Sequence, residues 1–272
     1  MDVPLEIIAH YEVYDEDARL KSDGGLLERD RTRDILERFL PSAPATVLDV
    51  GGGTGVHALW LARCGYEVHL VDPVPSHVEQ AERASTKQPN HPISSCTVGD
   101  ACDLPFHDAF ADAALLLGPL YHLVELKDRL GALREARRVS RSGGVVVAAA
   151  ISRFAPLLDA MDRELYTDPA LHRLMVGDLH TGRHTNPTGD PRYFTTAYLH
   201  RPEELRDEFE AAGLHHIATL AVEGPACLLE DIEERWTHQD RRELLLEAIR
   251  QIETEPALLG MTSHLLAIGT AG

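Results

Sequence analysis

The chain has 272 residues, with 26 Lys and Arg against 44 Asp and Glu and a formal net charge of −18. That length buries a sizeable core and suits one large domain or one with an appendage, and a field of that sign repels nucleic-acid phosphates and anionic membrane surfaces alike. No apolar run approaches the ~20 residues of a membrane helix, no signal-peptide pattern opens the chain, and Cys64, Cys96, Cys102 and Cys227 form no C-x-x-C pair, so a cytoplasmic protein with free thiols is expected.

Residues 1–40 read as helical. "LEIIAHYEVY" sets Leu5, Ile8, Tyr11 and Tyr14 near one face, and "GLLERDRTRDILERFL" repeats the pattern, with a break expected at Ser22-Asp23-Gly24-Gly25. A βα alternation then begins. Strands are expected at Thr46–Val50, Val68–Asp72, Cys96–Val98, Ala111–Leu117 and Val145–Ile151. The helices between them fall at Gly55–Arg63, at Ser76–Ala84 with Ser76 as N-cap, and along "LVELKDRLGALREARRVSRSGG", ending at Gly143-Gly144. Strands alternating with helices make βαβ units and a doubly wound α/β sheet.

From 152 to 200 the pattern changes. A short helix near Phe154–Leu165 is followed by "GDLHTGRHTNPTGDPRYF", too polar and too rich in Gly and Pro for core and long for a plain loop, so a lid or binding loop is expected there. A helix at Pro202–Ala212, a strand in "HHIATLAVEG", helices near Leu228–Trp236 and Arg241–Glu253, and a terminal strand in "SHLLAIGTA" complete the chain.

"TVLDVGGGTGVHALWLA" holds the most specific signal. A strand ending beside an acidic residue runs into Gly51, Gly52, Gly53 and Gly55 and then directly into a helix. Glycines there let the chain turn sharply and let a ligand touch the main chain, as in nucleotide-cofactor cradles. The G-x-G-x-x-G dinucleotide spacing fails, because Val56 stands where its third glycine would fall, and no Lys-Ser or Lys-Thr follows to make a P-loop.

The pattern Asp49-x-Gly51-x-Gly53-x-Gly55 resembles the first motif of the class I S-adenosylmethionine (SAM) dependent methyltransferases, and more of the chain agrees in order. "VHLVDP" ends a second strand at Asp72-Pro73, 21 residues past Gly51. The resemblance implies that Asp72 binds the ribose hydroxyls. In "VGDACDLPF" it implies that Asp100 accepts from the adenine amino group and that the Ala101 backbone reads a ring nitrogen. "FADAALLLGPLYHL" looks like the fourth-strand motif, whose end at Leu117 lies beside the transferable methyl, and "RRVSRSGGVVVAA" like the helix–Gly-Gly–strand that follows. For Asp49 the resemblance implies that it shapes the loop or approaches the SAM ammonium. The implied fold is a Rossmann-like methyltransferase sheet, with residues 1–40 as a helical cap and 41–272 as the SAM-binding domain, carrying a lid insertion at about 152–200.

Tyr121 and His122 follow Gly118-Pro119 at the end of the fourth strand. Adenine and glutamine N-methyltransferases carry Asn/Asp-Pro-Pro-Tyr there, and the missing acidic or amide residue argues against those substrates. His122 is a candidate general base, titrating ordinarily near ~6.5, or a helix-start histidine bonded to backbone. Asp112, alone in its strand, reads as strand-start polarity. His172, His180 and His184 lack metal-site spacing and context, and no magnesium-binding Asp/Asn set follows the fourth strand, so no metal is expected. Tyr11, Tyr14 and Arg19 in the N-terminal helices, and Arg192 and Tyr193 before the last βα unit, are candidates for covering the substrate.

The expected function is methyl transfer from SAM, leaving S-adenosylhomocysteine, to a small-molecule acceptor, with O-methylation favoured. N- or C-methylation of a metabolite, a macromolecule methyltransferase and an inactive SAM-binding protein are the alternatives. No nucleic-acid or membrane partner is expected, and the protein is read as a monomer or homodimer.

Overall fold

The computed structural model describes residues 16–20, 23–186 and 194–272. Tyr11, Tyr14, Arg192 and Tyr193 lie outside them. Among the described residues no helix is long and apolar enough to cross a membrane.

The sheet is built from β1 (Thr46–Val50), β2 (Glu67–Asp72), β3 (Ser95–Val98), β4 (Ala111–Leu116), β5 (Ser140–Ser152), β8 (Leu214–Ala221) and β9 (His264–Ala271). Its spatial order is β3-β2-β1-β4-β5-β9-β8. The first five strands pair in parallel, and β9 runs antiparallel between β5 and β8. Val47, Leu48, Val50, Val68, Leu70, Val71 and Ala113 through Leu116 are buried, as strands covered on both faces must be. Two further strands, β6 (Arg183–His184) and β7 (Ala197–His200), pair with each other, and β7 lies beside Ile151 and Ser152 at the end of β5.

Helices cover both faces. On one lie α2 (Asp23–Phe39), α3 (Val56–Arg63) and α4 (Pro75–Thr86), burying Ile35, Leu36, Leu61 and Ala81 against the sheet. On the other lie α6 (Leu126–Val139) and α9 (Pro202–Ala211), burying Ala132, Leu133, Leu205 and Phe209. Each of these larger side chains contributes roughly 1.5–3 kcal/mol when removed from water. The remaining helices are α1 (Glu16–Arg19), α5 (Pro119–His122), α7 (Ala155–Asp162), α8 (Pro169–Thr181), α10 (Ile232–Trp236) and α11 (Gln239–Arg250).

Three local expectations are corrected. The chain does not break at Gly24-Gly25: α2 begins at Asp23, held by Leu27, which packs with Ile232 and Ile249. The helix after β4 does not run to Gly143-Gly144 but ends at Val139. There Ser140 turns into β5 while its hydroxyl donates 2.7 Å back to the Ala136 carbonyl. Ser76 is not the N-cap of α4; Val74 is, with Pro75 in the first turn, where its missing N–H goes unneeded.

Of the stretch expected as a lid loop, the described residues 177–186 hold the end of α8 and strand β6. Asp168 caps α8 by accepting from the Ala170 amide at 2.8 Å, and Leu171 and Met175, one turn apart, pack on Ala160 of α7. Buried Asp178 is satisfied by His184 Nδ1 at 2.8 Å, so these polar residues are core of a small subunit of structure rather than solvated loop.

Candidate active site

β1 has β2 on one side and β4 on the other, so the chain reverses direction across the sheet between them. Ligands of open α/β sheets bind outside the strand ends at that point. The loop after β1 and the loop after β4 meet there. A Cβ on Gly51 (φ 70°) would stand 2.6 Å from Pro119 Cδ, so only glycine permits this approach. A Cβ on Gly53 (φ 54°) would meet no protein atom within 4 Å, because that backbone faces an open cavity.

The cavity has a volume of about 320 Å³ and is lined by Asp49, Gly51, Gly52, Gly53, Asp72, Pro73, Asp100, Ala101, Leu117, Tyr121 and His122; Arg19, expected to cover the substrate, is not in the lining and instead donates to Glu28. Asp72 ends β2 with its carboxylate held on three sides. Oδ2 accepts the Gly53 amide at 2.8 Å, and Oδ1 accepts the Val74 amide at 2.9 Å and faces His77 Nδ1 at 3.2 Å. This ties the glycine loop to the second strand. Asp100, past β3, accepts the Cys102 amide at 2.8 Å and turns that loop toward the same space.

Asp49 is the anomaly. It is 1% exposed, and neither carboxylate oxygen accepts a hydrogen bond from the described residues. Burial, with the like charge of Asp72 added, pushes its carboxyl up to about 7; the Ala58 amide pulls the other way without completing a hydrogen bond. An unsatisfied buried carboxylate at a cavity wall calls for a cation from outside the protein.

Across the cavity, α5 carries Tyr121 and His122. Phe194 lies with its ring centroid 5.8 Å from His122 at 27°, and Tyr121 meets His122 edge-on at 4.6 Å. Thr196, just before β7, lines the same wall.

The structure also brings in residues that sequence reasoning passed over: Glu28 from α2, His57 from the first turn of α3, His77 from α4, and Glu125 and Asp128. His57 had a readable signal, since the helix after a glycine loop points its N-terminus at the ligand. Glu28 had none, being one acid among several on an amphipathic helix. Burial, with Arg33 adding repulsion, holds His57 down to about 4.

Burial raises the Glu28 carboxyl, but His264 and Arg19 outweigh it and hold it down to about 2. His264, against its own burial, is pushed up to about 9 by Glu28 and Glu223. Glu28, Glu223 and His264 gather ligand-type atoms within 4.8 Å. Both Glu28 oxygens, however, already take Arg19 N–H groups, and Glu223 takes the Thr262 hydroxyl and the His264 amide, so the group closes as an ion-pair network.

Glycine backbone open to the cavity, a carboxylate at the second strand end and an orphaned carboxylate beside the loop suit a nucleoside cofactor that carries positive charge. These features define a cofactor-binding α/β enzyme with its site at the switch point. A family model for a methyltransferase domain matches residues 48–148. An uncharacterized methyltransferase of Mycobacterium tuberculosis is 29% identical over 186 residues, 66% of this chain and 67% of its own length. A demethylmenaquinone methyltransferase of Streptomyces avermitilis is 31% identical over 173 residues, 63% of this chain and 70% of its own. Among solved structures, geranyl diphosphate C-methyltransferase from Streptomyces coelicolor A3(2), in complex with Mg2+, geranyl diphosphate and S-adenosyl-L-homocysteine, shares the fold. Its TM-score is 0.53 at 15% identity, covering 89% of this chain and 80% of that one. The chain belongs to the class I SAM-dependent methyltransferases, and SAM is its cofactor.

Proposed function

We propose that this methyltransferase acts on a small molecule bearing a hydroxyl group, with His122 as the general base. The observation that carries the reading is that His122 lines the same cavity as the glycine loop, at the end of β4, with Phe194 covering its ring.

In this reading the Gly51–Gly53 backbone and Asp49 receive the methionine end of the cofactor. Asp72 with Pro73 takes the ribose, Asp100 and Ala101 take the adenine, and Leu117 stands beside the methyl. SAM supplies a methyl carbon already activated by a positively charged sulfur. The protein therefore contributes mainly position, the source of large effective molarities. Tyr121 and Phe194 shape the acceptor wall and exclude water around the imidazole. Neutral His122 takes the hydroxyl proton as the oxygen attacks. Arg129 fixes this wall, because it is buried and its Nη1 donates to the Leu123 and Val124 carbonyls at 3.0 and 2.8 Å, directly after His122.

An amine acceptor is the second reading. It needs no base, and the carboxylate-rich lining favours it. Turnover by His122→Ala with a working acceptor separates the two: a large loss supports the hydroxyl, near-normal rates the amine.

A further inference from the structure

We infer that His57 receives the carboxylate end of the cofactor as a neutral hydrogen-bond donor, where a cationic side chain would otherwise be needed. The inference rests on the reading above in one respect, that the methionine end of SAM lies along the glycine loop.

SAM carries an ammonium and a carboxylate on the same carbon. Asp49 offers a charge for the first, so donors for the second have to stand close by. Among the described residues no Lys or Arg lines the cavity. Arg19 is spent on Glu28, with Nη2 donating at 2.9 Å. Within these residues the carboxylate is left to neutral donors. His77 is turned to Asp72 at 3.2 Å, and Tyr121, His122 and Thr196 form the opposite wall. Thr54 and His57 remain on the side of the glycine loop.

Position singles out His57. It is the second residue of α3, and Ala58, the next, turns its amide toward Asp49. The imidazole therefore springs from within one residue of the group assigned to the ammonium. Its Nδ1 is buried and has no hydrogen-bond partner among the described residues, so that nitrogen is unspent. A neutral imidazole still carries one N–H, and the tautomer decides which nitrogen bears it. Burial and Arg33 keep the ring neutral, with Arg29 and Arg19 acting the same way and Glu28 opposing them. Those guanidinium groups also favour an anion beside the ring, as does the N-terminal end of α3. A neutral donor suits SAM better than a cation, because it holds the carboxylate without repelling the positively charged sulfur.

Titration calorimetry on the intact protein tests this with two probes. One is S-adenosylhomocysteine; the other is methylthioadenosine, which keeps the nucleoside and the thioether and lacks the amino-acid end. His57→Ala should lose about tenfold in affinity for S-adenosylhomocysteine and stay within about twofold for methylthioadenosine. His57→Leu, which fills the space without a donor, should behave in the same way. His57→Gln, which keeps an N–H donor, should recover most of the loss. Thermal melts establish that each variant is folded. An equal loss for both probes would mean that the ring only supports α3, and unchanged affinity for S-adenosylhomocysteine would mean that it does not touch the cofactor; either result overturns the inference. Failure of the reading above looks different: wild type itself would then bind the two probes equally, and the inference falls with it.

Discussion

Arg129 and Glu208 form a buried bidentate pair, with Nε 2.9 and 3.0 Å from the two carboxylate oxygens and Nη2 at 2.7 Å. The guanidinium also lies 3.6 Å from the Tyr198 ring centroid, and Glu208 reaches His200 Nε2 at 3.3 Å. The pair thus joins the loop after His122, helix α9 and strand β7. Arg129→Met should leave the buried Glu208 carboxylate with His200 as its partner and without the guanidinium, and destabilise the protein by about 3–5 kcal/mol, read by urea unfolding. Glu208→Gln should also destabilise, because one accepting oxygen becomes a donor facing the guanidinium and the buried Arg129 loses its counter-charge. Although burial raises it, the Glu208 carboxyl is held below its ordinary value by His200 and Arg129. Its contribution is therefore present above the ordinary carboxylate range and is lost as pH falls through its lowered value. Equal stability of wild type and Arg129→Met would contradict the pairing.

Asp49 should make cofactor binding depend on pH. Its carboxyl sits at about 7 in the cofactor-free fold against an ordinary value of 3.8, so the native protein holds a proton that the unfolded chain releases. The cofactor-free protein should lose stability as pH rises from ~4 to ~7. In the proposed reading the cofactor's ammonium meets Asp49 and would lower that pKa, so binding should tighten with pH up to about 7 and release a proton. Melting shifts with S-adenosylhomocysteine, measured from about pH 5.5 to 8.5, should show this slope, and Asp49→Asn should flatten it. An unchanged slope in Asp49→Asn would remove the carboxylate from cofactor binding.

Asp72→Ala should weaken SAM binding by about 2–4 kcal/mol in calorimetry, the loss of a charge-assisted contact. Part of that loss comes from the protein itself, because the Gly53 and Val74 amides lose their acceptor. Wild-type affinity in the variant would sink the assignment.

Gly51→Ala and Gly53→Ala should fail differently. At Gly51 the added carbon strikes Pro119, so stability falls and the start of α5 shifts. At Gly53 the carbon points into open cavity, so the fold should lose only about 1–2 kcal/mol for the left-handed backbone while SAM binding suffers most. Calorimetry and thermal melts on both variants check this. A Gly53→Ala protein with normal SAM affinity would show that the loop does not approach the cofactor closely.

His122→Ala should lower kcat by about 100-fold or more with a hydroxyl acceptor and leave SAM affinity alone. Near-normal turnover would remove the histidine from the proton path.

The cofactor half of this protein was legible in one dimension. Its strands are short apolar runs, and the candidate cofactor residues sit within a residue or two of strand ends, where the fold places any ligand; Asp49, the Gly51–Gly53 loop, Asp72, Asp100 and Leu117 all converge on one cavity for that reason. Periodicity and turn chemistry are local, and so were these features. The acceptor half was decided by long-range packing. Glu28 reaches the cavity because Leu27 beside it packs on Ile232 and Ile249, from the far end of the chain, and its charge is set by His264 from the last strand. The polar stretch near 178–184 looked like loop until Asp178 and His184 satisfied each other. Asp49 was placed at the glycine loop by the sequence, but its charge state was not, because a carboxyl pushed to about 7 depends on what surrounds it, and burial is a property of the folded chain alone.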